Sequence, residues 1–539
     1  MIRITDIKLP VEEGCDKLIK KAASLLKVRE NDILSLTIAK RSLDARRKPQ
    51  LFYVYAVDVT CRRSPGKQVI SKHNNITLTN EPDYSFPAAG TESLRQPVAV
   101  IGSGPAGLFA AYALAKNGYR PLILERGDEV TERTRKVNAL WDSGVPDPDS
   151  NPQFGEGGAG TFSDGKLNTS VRDPSGRKTF VLKTFVDFGA TDEILYDQKP
   201  HLGTDALIPI LIAMRKQIEG MGGQYLFRHQ VTDLVTEDGR LTGVICNDNV
   251  RIPVQAAILA IGHSARDTFR MLNRLRIPLE AKPFAAGLRI EHPQTMIDLD
   301  QYGQERGQIL PPSSYKLTYQ TANGRGVYSF CMCPGGYVIN ASSEPGHLCV
   351  NGMSYQKRDS MNANSALIVT VTPDDFAPYA DGENNGPLSG LAFQRFLERA
   401  AFEAAGGAIP SQLYGDFREG RPSAAYGDIH PCHKGSTDLC RLDDRLPAFM
   451  TEALKEALPA FGRKIRGFDR SDALFSGIEA RTSSPVRITR SQSGQSTLDG
   501  LYPAGEGAGY AGGIMSAAMD GLRAAESVML RYAPLSPKT

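Results

Sequence analysis

Hydrophobic positions along the chain fall into two kinds of run, and their order predicts the architecture. Val98, Ala99, Val100 and Ile101 are apolar at every position, as a strand buried on both faces requires. An apolar helical run over 108–115 follows, closed by Gly118 in the place of a helix C-cap, and a strand over 121–124 then ends on Glu125. Similar short strands are predicted at 225–227 and 256–262, with a helix at 206–219 and an alternating pair, 231–236 and 241–246, turning at Asp238-Gly239. Upstream, 2–9, 33–38 and 51–59 read as strands and 15–28 as an amphipathic helix. Between 283 and 468 the character changes. Strand-like runs come at 286–291, 315–319, 326–333, 337–341, 348–353 and 366–372, and helical runs at 391–405 and 446–458. The chain then returns to the first pattern, with a strand at 501–503 and a long helical run over 514–530.

Glycines sit at the joints of this pattern. Gly102, Gly104 and Gly107 enclose Ser103, Pro105 and Ala106 in G-x-G-x-x-G spacing, between the first buried strand and its helix. In that context the three glycines give a tight turn, close approach of backbone to a pyrophosphate, and close packing of helix on strand. Glu125 stands 23 residues beyond Gly102, with Arg126 next. A carboxylate there accepts hydrogen bonds from a ribose and favours a free 2′-hydroxyl, as in FAD or NAD. Gly157, Gly158 and Ala159 belong to a glycine-rich stretch, 152–167, suited to backbone lying against a flat ring. Gly262 ends the strand predicted at 256–262. The second glycine turn holds Gly505, Glu506 and Gly513, and Ile514 and Met515 open the long helix. Glu506 suits ribityl hydroxyls, and the helix N-terminus suits the flavin N1–C2=O edge. NAD has no use for this second device, so FAD is the expected cofactor.

Length and composition add limits. The 539 residues are 41% hydrophobic and 23% charged, ordinary for a globular protein. A net charge of +3 is too small to mark the whole molecule for a polyanion. No apolar run approaches the ~20 residues of a membrane span, and the first residues lack the apolar core of a signal peptide. The eight cysteines are scattered, which suggests a reducing cytoplasm. Residues 1–95 carry 17 Lys and Arg against 11 Asp and Glu, with a basic stretch at 40–48. That stretch reads as a solvated loop, with RNA binding as the rival reading. Residues 65–87 read as a linker. His430, Cys432, His433 and Cys440 match no common metal-ligand spacing, and no metal is expected. Cys331 and Cys333, in C-x-C spacing on one predicted strand, read as buried structural thiols, with a redox dithiol as the alternative.

The segments VAVIGSGPAGLFAA, FGEGGAGTFSDGKL, KPHLGTD, FCMCPGG, NGMS, EARTSSPVRI and YPAGEGAGYAGGIMSAAMDG together resemble a family of uncharacterised FAD-dependent dehydrogenases. That family falls within the glutathione-reductase-like, two-dinucleotide-binding flavoproteins. The resemblance spans essentially the whole chain and implies non-covalent FAD with a β-rich substrate domain inserted into the FAD domain. Glu506 stands where the wider superfamily usually has aspartate. The expected fold is therefore α/β: a Rossmann-like FAD-binding domain in two parts (96–280 and 471–539), an inserted β-rich substrate domain (281–470) and a small α+β N-terminal domain (1–95).

Lys166, Glu479, Arg481 and Arg487 are the candidate catalytic residues. The two arginines suit a carboxylate clamp, and Glu479 suits pairing with one of them. The expected function is hydride transfer between flavin N5 and a small anionic metabolite. A transiently bound NAD(P)H is a further possible electron donor, since a second Rossmann fingerprint is lacking. The alternative is an RNA-directed flavoprotein or flavin redox sensor using the basic N-terminal domain.

Overall fold

A computed structural model describes residues 1–535 apart from 64, 67–68, 71–72 and 80–83; parts of the 65–87 linker therefore lie outside the described residues. The N-terminal sheet runs, edge to edge, Ile33–Arg47, Gln50–Cys61, Ile2–Pro10 and Ile76–Leu78, all antiparallel. Helix Lys17–Leu26 buries Leu18, Ala22 and Leu26 against it. The basic stretch 40–48 is not a loop. Residues 40–47 continue the edge strand of a long hairpin and Lys48 enters its turn; charged side chains there reach water and discourage further strand pairing. Arg41 fixes this hairpin to the body: its backbone bonds Tyr196 and Gln198, and its guanidinium meets Asp197 at 2.6 and 2.9 Å.

The central sheet is parallel, in the order Leu501–Pro503, Ala256–Leu259, Val98–Ile101, Leu122–Leu124, Gln224–Leu226. Apart from the edge strand Gln224–Leu226, its strands are buried at every position because both faces are covered. Val98, Val100 and Ile258 pack with helices Pro105–Lys116, Thr204–Gly220 and Ile514–Arg531. Ala99, Ile101 and Leu259 pack with the three-stranded layer Val231–Glu237, Arg240–Cys246 and Val250–Pro253. The outermost residues 260–262, assigned to a strand from sequence, leave it at Leu259 and turn into the site.

The inserted region forms a seven-stranded sheet, in the order Thr318–Gln320, Gly326–Cys333, Asn362–Val371, Phe284–Pro293, Leu474–Glu479, Ile409–Leu413, Thr437–Leu439. Leu474–Glu479 lies inside this sheet although the sequence assigned 471 onward to the returning FAD-binding part. Its antiparallel ladders to Phe284–Pro293 and Ile409–Leu413 decide its place. Helices Ser389–Ala405 and Ala448–Gly462 cover this sheet, burying Phe393, Leu397, Leu454 and Phe461.

Candidate cofactor and active site

The first glycine turn is forced by close backbone approaches. Gly102 has φ +95°, and a Cβ on Gly107 would sit 1.9 Å from the Gly102 carbonyl oxygen. Only glycine brings helix Pro105–Lys116 this near its strand. Helix Ile514–Arg531, which opens after Gly513, then crosses that helix at small residues: a Cβ on Gly521 would lie 2.0 Å from the Ala106 carbonyl oxygen. Ala106, Ala260 and Ala517 pack together at the crossing. Two helix N-termini, each with unpaired N–H groups and the positive end of a dipole, thus open into one cleft. Glu125 and Glu506, far apart in sequence, both line it.

Of the cofactor-binding candidates, only Gly107, Gly157 and Met515 stay outside the cleft wall. Gly107 and Met515 are packing positions, and a Cβ on Gly157 would strike Thr161 and Leu211. Glu125 is 4% exposed and already accepts four hydrogen bonds, from Ser103 N and Oγ (both 2.8 Å), Gly127 N (2.9 Å) and Gly155 N (3.1 Å). The carboxylate therefore ties the glycine turn to the glycine-rich loop as well as facing the cleft. Arg126 lies over the Phe154 ring at 4.2 Å and pairs with Asp267 at 2.5 Å. Burial pushes Glu506 up to about 7, against the opposing pull of the Gly513 N–H at 3.4 Å and of Lys282.

Sequence reasoning missed what shapes the glycine-rich loop. Arg133 is fully buried and donates to the carbonyls of Asn151, Pro152, Gly155, Glu156 and Gly158. In helix Val130–Ser143 the sequence does not set Arg133 apart from its basic neighbours Arg135 and Lys136, so it carries no signal of this role. The loop's centre, Gly158–Phe162, is a short 3₁₀ turn. A Cβ on Gly158 would come 2.8 Å from Gly104 Cα, while beyond Gly262 and Gly513 a Cβ would meet no atom within 4 Å. The cleft is tight where two backbones meet and open along bare backbone, a cradle that fits a long, flat dinucleotide.

Lys166, Glu479 and Arg481 line the same cleft; Arg487 does not, its guanidinium lying 5.3 Å from the Tyr510 ring. The carboxylate clamp expected of Arg481 is replaced by a bidentate pair with Glu398, at 2.7 and 2.8 Å, which also holds Arg266. A buried guanidinium must be matched, and Glu398, with no exposed surface, is the nearer partner. Glu479 likewise pairs with neither predicted arginine but with Arg289, at 2.6 Å from the neighbouring strand. Burial still raises Glu479 to about 7. Lys166 is half-buried: burial opposes its charge, but Asp164 at 2.7 Å outweighs it and raises its pKa. Asp164 is shared with Arg358, leaving one net positive charge on this trio.

Cys331 and Cys333 are not alike. Cys333 is buried, whereas Cys331 is half-buried and lines the cleft. The strand register shifts between Phe330 and Cys333, so the two do not share a regular strand face. His433 is engaged by Glu291 at 2.8 Å and Ser476 at 3.1 Å, and no cluster of His, Cys, Asp or Glu able to hold a metal occurs among the described residues.

Residues 283–482 match the family described as FAD-dependent protein, C-terminal domain-like, and residues 100–145 match the NAD(P)-binding Rossmann-like domain. Residues 1–60 match a domain of unknown function. A protein of Clostridium beijerinckii, described as uncharacterized, is 44% identical over 538 residues, covering 98% of this chain and 99% of its own. The chain belongs to this family of FAD-dependent proteins. Among solved structures, a variant of E. coli quinol fumarate reductase is similar at 11% identity and TM-score 0.35, over 82% of this chain and 70% of its own. A geranylgeranyl bacteriochlorophyll reductase-like protein of Thermoplasma acidophilum is similar at 14% identity and TM-score 0.35, over 81% and 78%. The cofactor of this FAD-dependent protein is FAD, and its general chemistry is oxidoreduction. No described helix is long and apolar enough to cross a membrane.

Proposed function

We propose that this FAD-dependent protein oxidises or reduces a small anionic metabolite, with FAD held along the cleft from Glu125 to Glu506. The observation that carries the reading is that both carboxylates, and both helix N-termini, face one continuous cleft that also contains Lys166 and Glu479. The helix Pro105–Lys116 N-terminus would receive the pyrophosphate, and the Gly513 end the flavin ring. When bound, FAD supplies a two-electron acceptor at N5. Lys166 would draw the anionic group of the substrate and fix its orientation. Glu479, titrating near neutrality, would take the substrate proton in one direction and return it in the other. Arg481 and Arg487 serve structure in this scheme rather than substrate. Transient NAD(P)H remains the proposed second electron donor.

The test is an anaerobic screen of small carboxylic acids and NAD(P)H for bleaching of the yellow protein. Bleaching by an acid, with roughly tenfold or greater weakening in Lys166→Gln, supports the reading. A yellow protein that no anion perturbs or bleaches, or equal response of the variant, overturns it. No observation favours the RNA-directed alternative. Within the basic hairpin Arg41 is paired with Asp197 of the body and Arg46 with Asp44, so two of its arginines are engaged within the chain.

A further inference from the structure

Strand Gly326–Cys333 ends irregularly at the cleft. Its alternation of buried and open positions fails after Phe330: Met332 and Cys333 are both buried, and Cys331 turns toward the cleft with φ +43°. A side chain with a Cβ rarely takes this left-handed backbone, which must be held by its surroundings. Two cations hold it. Arg289, fully buried, donates to the Cys331 carbonyl at 3.3 and 3.4 Å, and Lys166 donates to the Met332 carbonyl.

The same grip defines the second sulfur. Cys333 Sγ donates to the Cys331 carbonyl at 3.2 Å and lies 3.9 Å from Arg289 Nη1. Its space exists because residue 352 is glycine: a Cβ there would lie 2.6 Å from Cys333 Sγ. One thiol is thus presented to the cleft and the other is stored behind it, with Lys166, Arg289 and Glu479 around them. The adjacent Cys333 thiol, then Lys166 and Arg289, hold Cys331 below the usual thiol range; burial keeps Cys333 above it. A half-buried thiol that faces the cleft and gives up its proton more readily, with a buried thiol behind it that holds its own, is the arrangement of an attacking and a resolving cysteine.

We propose that Cys331 and Cys333 form a dithiol–disulfide couple in the wall of the FAD cleft and exchange two electrons with the cofactor. In the oxidising direction a sulfur–sulfur bond forms and the S–H bond of Cys333 breaks. Two electrons and one proton leave the pair, and oxidised FAD takes up both, so charge and atoms balance. In the reverse direction reduced FAD returns them and the bond opens. The couple would give the protein a second two-electron store beside the cofactor, able to pass electrons to an external disulfide or take them from a thiol. This rests on the FAD reading above.

The test uses the full-length, FAD-loaded protein, treated with diamide, freed of reagent and titrated anaerobically with dithionite. The wild type should take up roughly four electrons per chain, and Cys331→Ser, Cys333→Ser and Cys333→Ala roughly two, each couple being a two-electron one. Mass spectrometry of the diamide-treated wild type should show the loss of two hydrogen atoms within the peptide carrying both cysteines, absent from all three variants. A yellow wild type that takes up only about two electrons, or variants that still take up about four, overturns the cysteine proposal alone. A chain that holds no FAD overturns the reading beneath it.

Discussion

Gly521 and Ala106 touch backbone to backbone: a Cβ on the glycine would stand 2.0 Å from the alanine's carbonyl oxygen. Through this contact the helix that follows the second glycine turn is locked to the helix that follows the first. Gly521→Leu must push them apart. The expected cost is about 1–3 kcal/mol of stability, together with loss of most bound flavin, since the two helix N-termini no longer converge. Melting temperature and flavin content of the purified variant measure both. Unchanged flavin content in a destabilised variant would mean that the crossing does not set the cleft.

Arg481 is committed to Glu398, which it shares with Arg266, and all three are nearly or fully buried. Arg481→Ala should therefore cost about 3–5 kcal/mol, because it removes one partner from a buried charge network. Arg481→Lys should recover little, since an ammonium cannot reproduce the bidentate fork. Chemical denaturation gives the comparison. A variant of wild-type stability with weakened substrate binding would return Arg481 to the role of a carboxylate clamp.

Glu479 makes stability depend on pH with a definite sign. Its carboxyl titrates at about 7 in the folded chain, against an ordinary value of 4.5, because burial outweighs the attraction of Arg289. The folded state thus binds the proton more tightly than the unfolded state. The resulting stabilisation is fully present below about pH 4.5 and is lost as pH rises through about 7, amounting to roughly 3 kcal/mol. Glu506 acts in the same direction. Glu479→Gln, which cannot ionise, should lose less stability than the wild type between pH 5 and pH 8, whatever its absolute stability. Denaturation curves at those two pH values decide it; parallel loss would show that Glu479 ionises normally.

Arg41 joins the N-terminal hairpin to the body, reaching Asp197 and lying 5.5 and 5.1 Å from the rings of Tyr53 and Tyr196. Arg41→Ala should leave flavin content unchanged while speeding protease removal of the N-terminal sheet roughly tenfold or more, as expected when charge-assisted bonds worth about 1.5–3 kcal/mol are lost. Limited proteolysis followed by mass measurement reads the change. An unaltered cleavage rate would show that other contacts carry the docking.

The legible part of the site was local. Gly102 to Gly107, with Glu125 downstream, can be read because a strand, a tight turn and a helix follow one another within thirty residues. Gly505 to Gly513 is readable for the same reason. Arg133, Arg289, Glu398 and Arg358 were not readable, since each acts on a partner brought near only by folding. The basic stretch 40–48 was misread because charge suits both a loop and the edge of a hairpin, and only the ladder to Gln50–Cys61 separates the two. Leu474–Glu479 was assigned to the wrong layer because an apolar run does not reveal which sheet receives it.

By itself the sequence determined the α/β class, the two glycine turns and the cofactor they imply, because backbone sterics restrict glycine-rich turns to a few local shapes. The tertiary structure alone decided which charges are paired. Arg481 turned from a substrate ligand to a partner of Glu398, Glu479 went to Arg289, and Cys331 came out of the core into the cleft. Pairing and burial depend on distances between residues hundreds of positions apart, and those are set by how sheets and helices pack, not by any pattern along the chain.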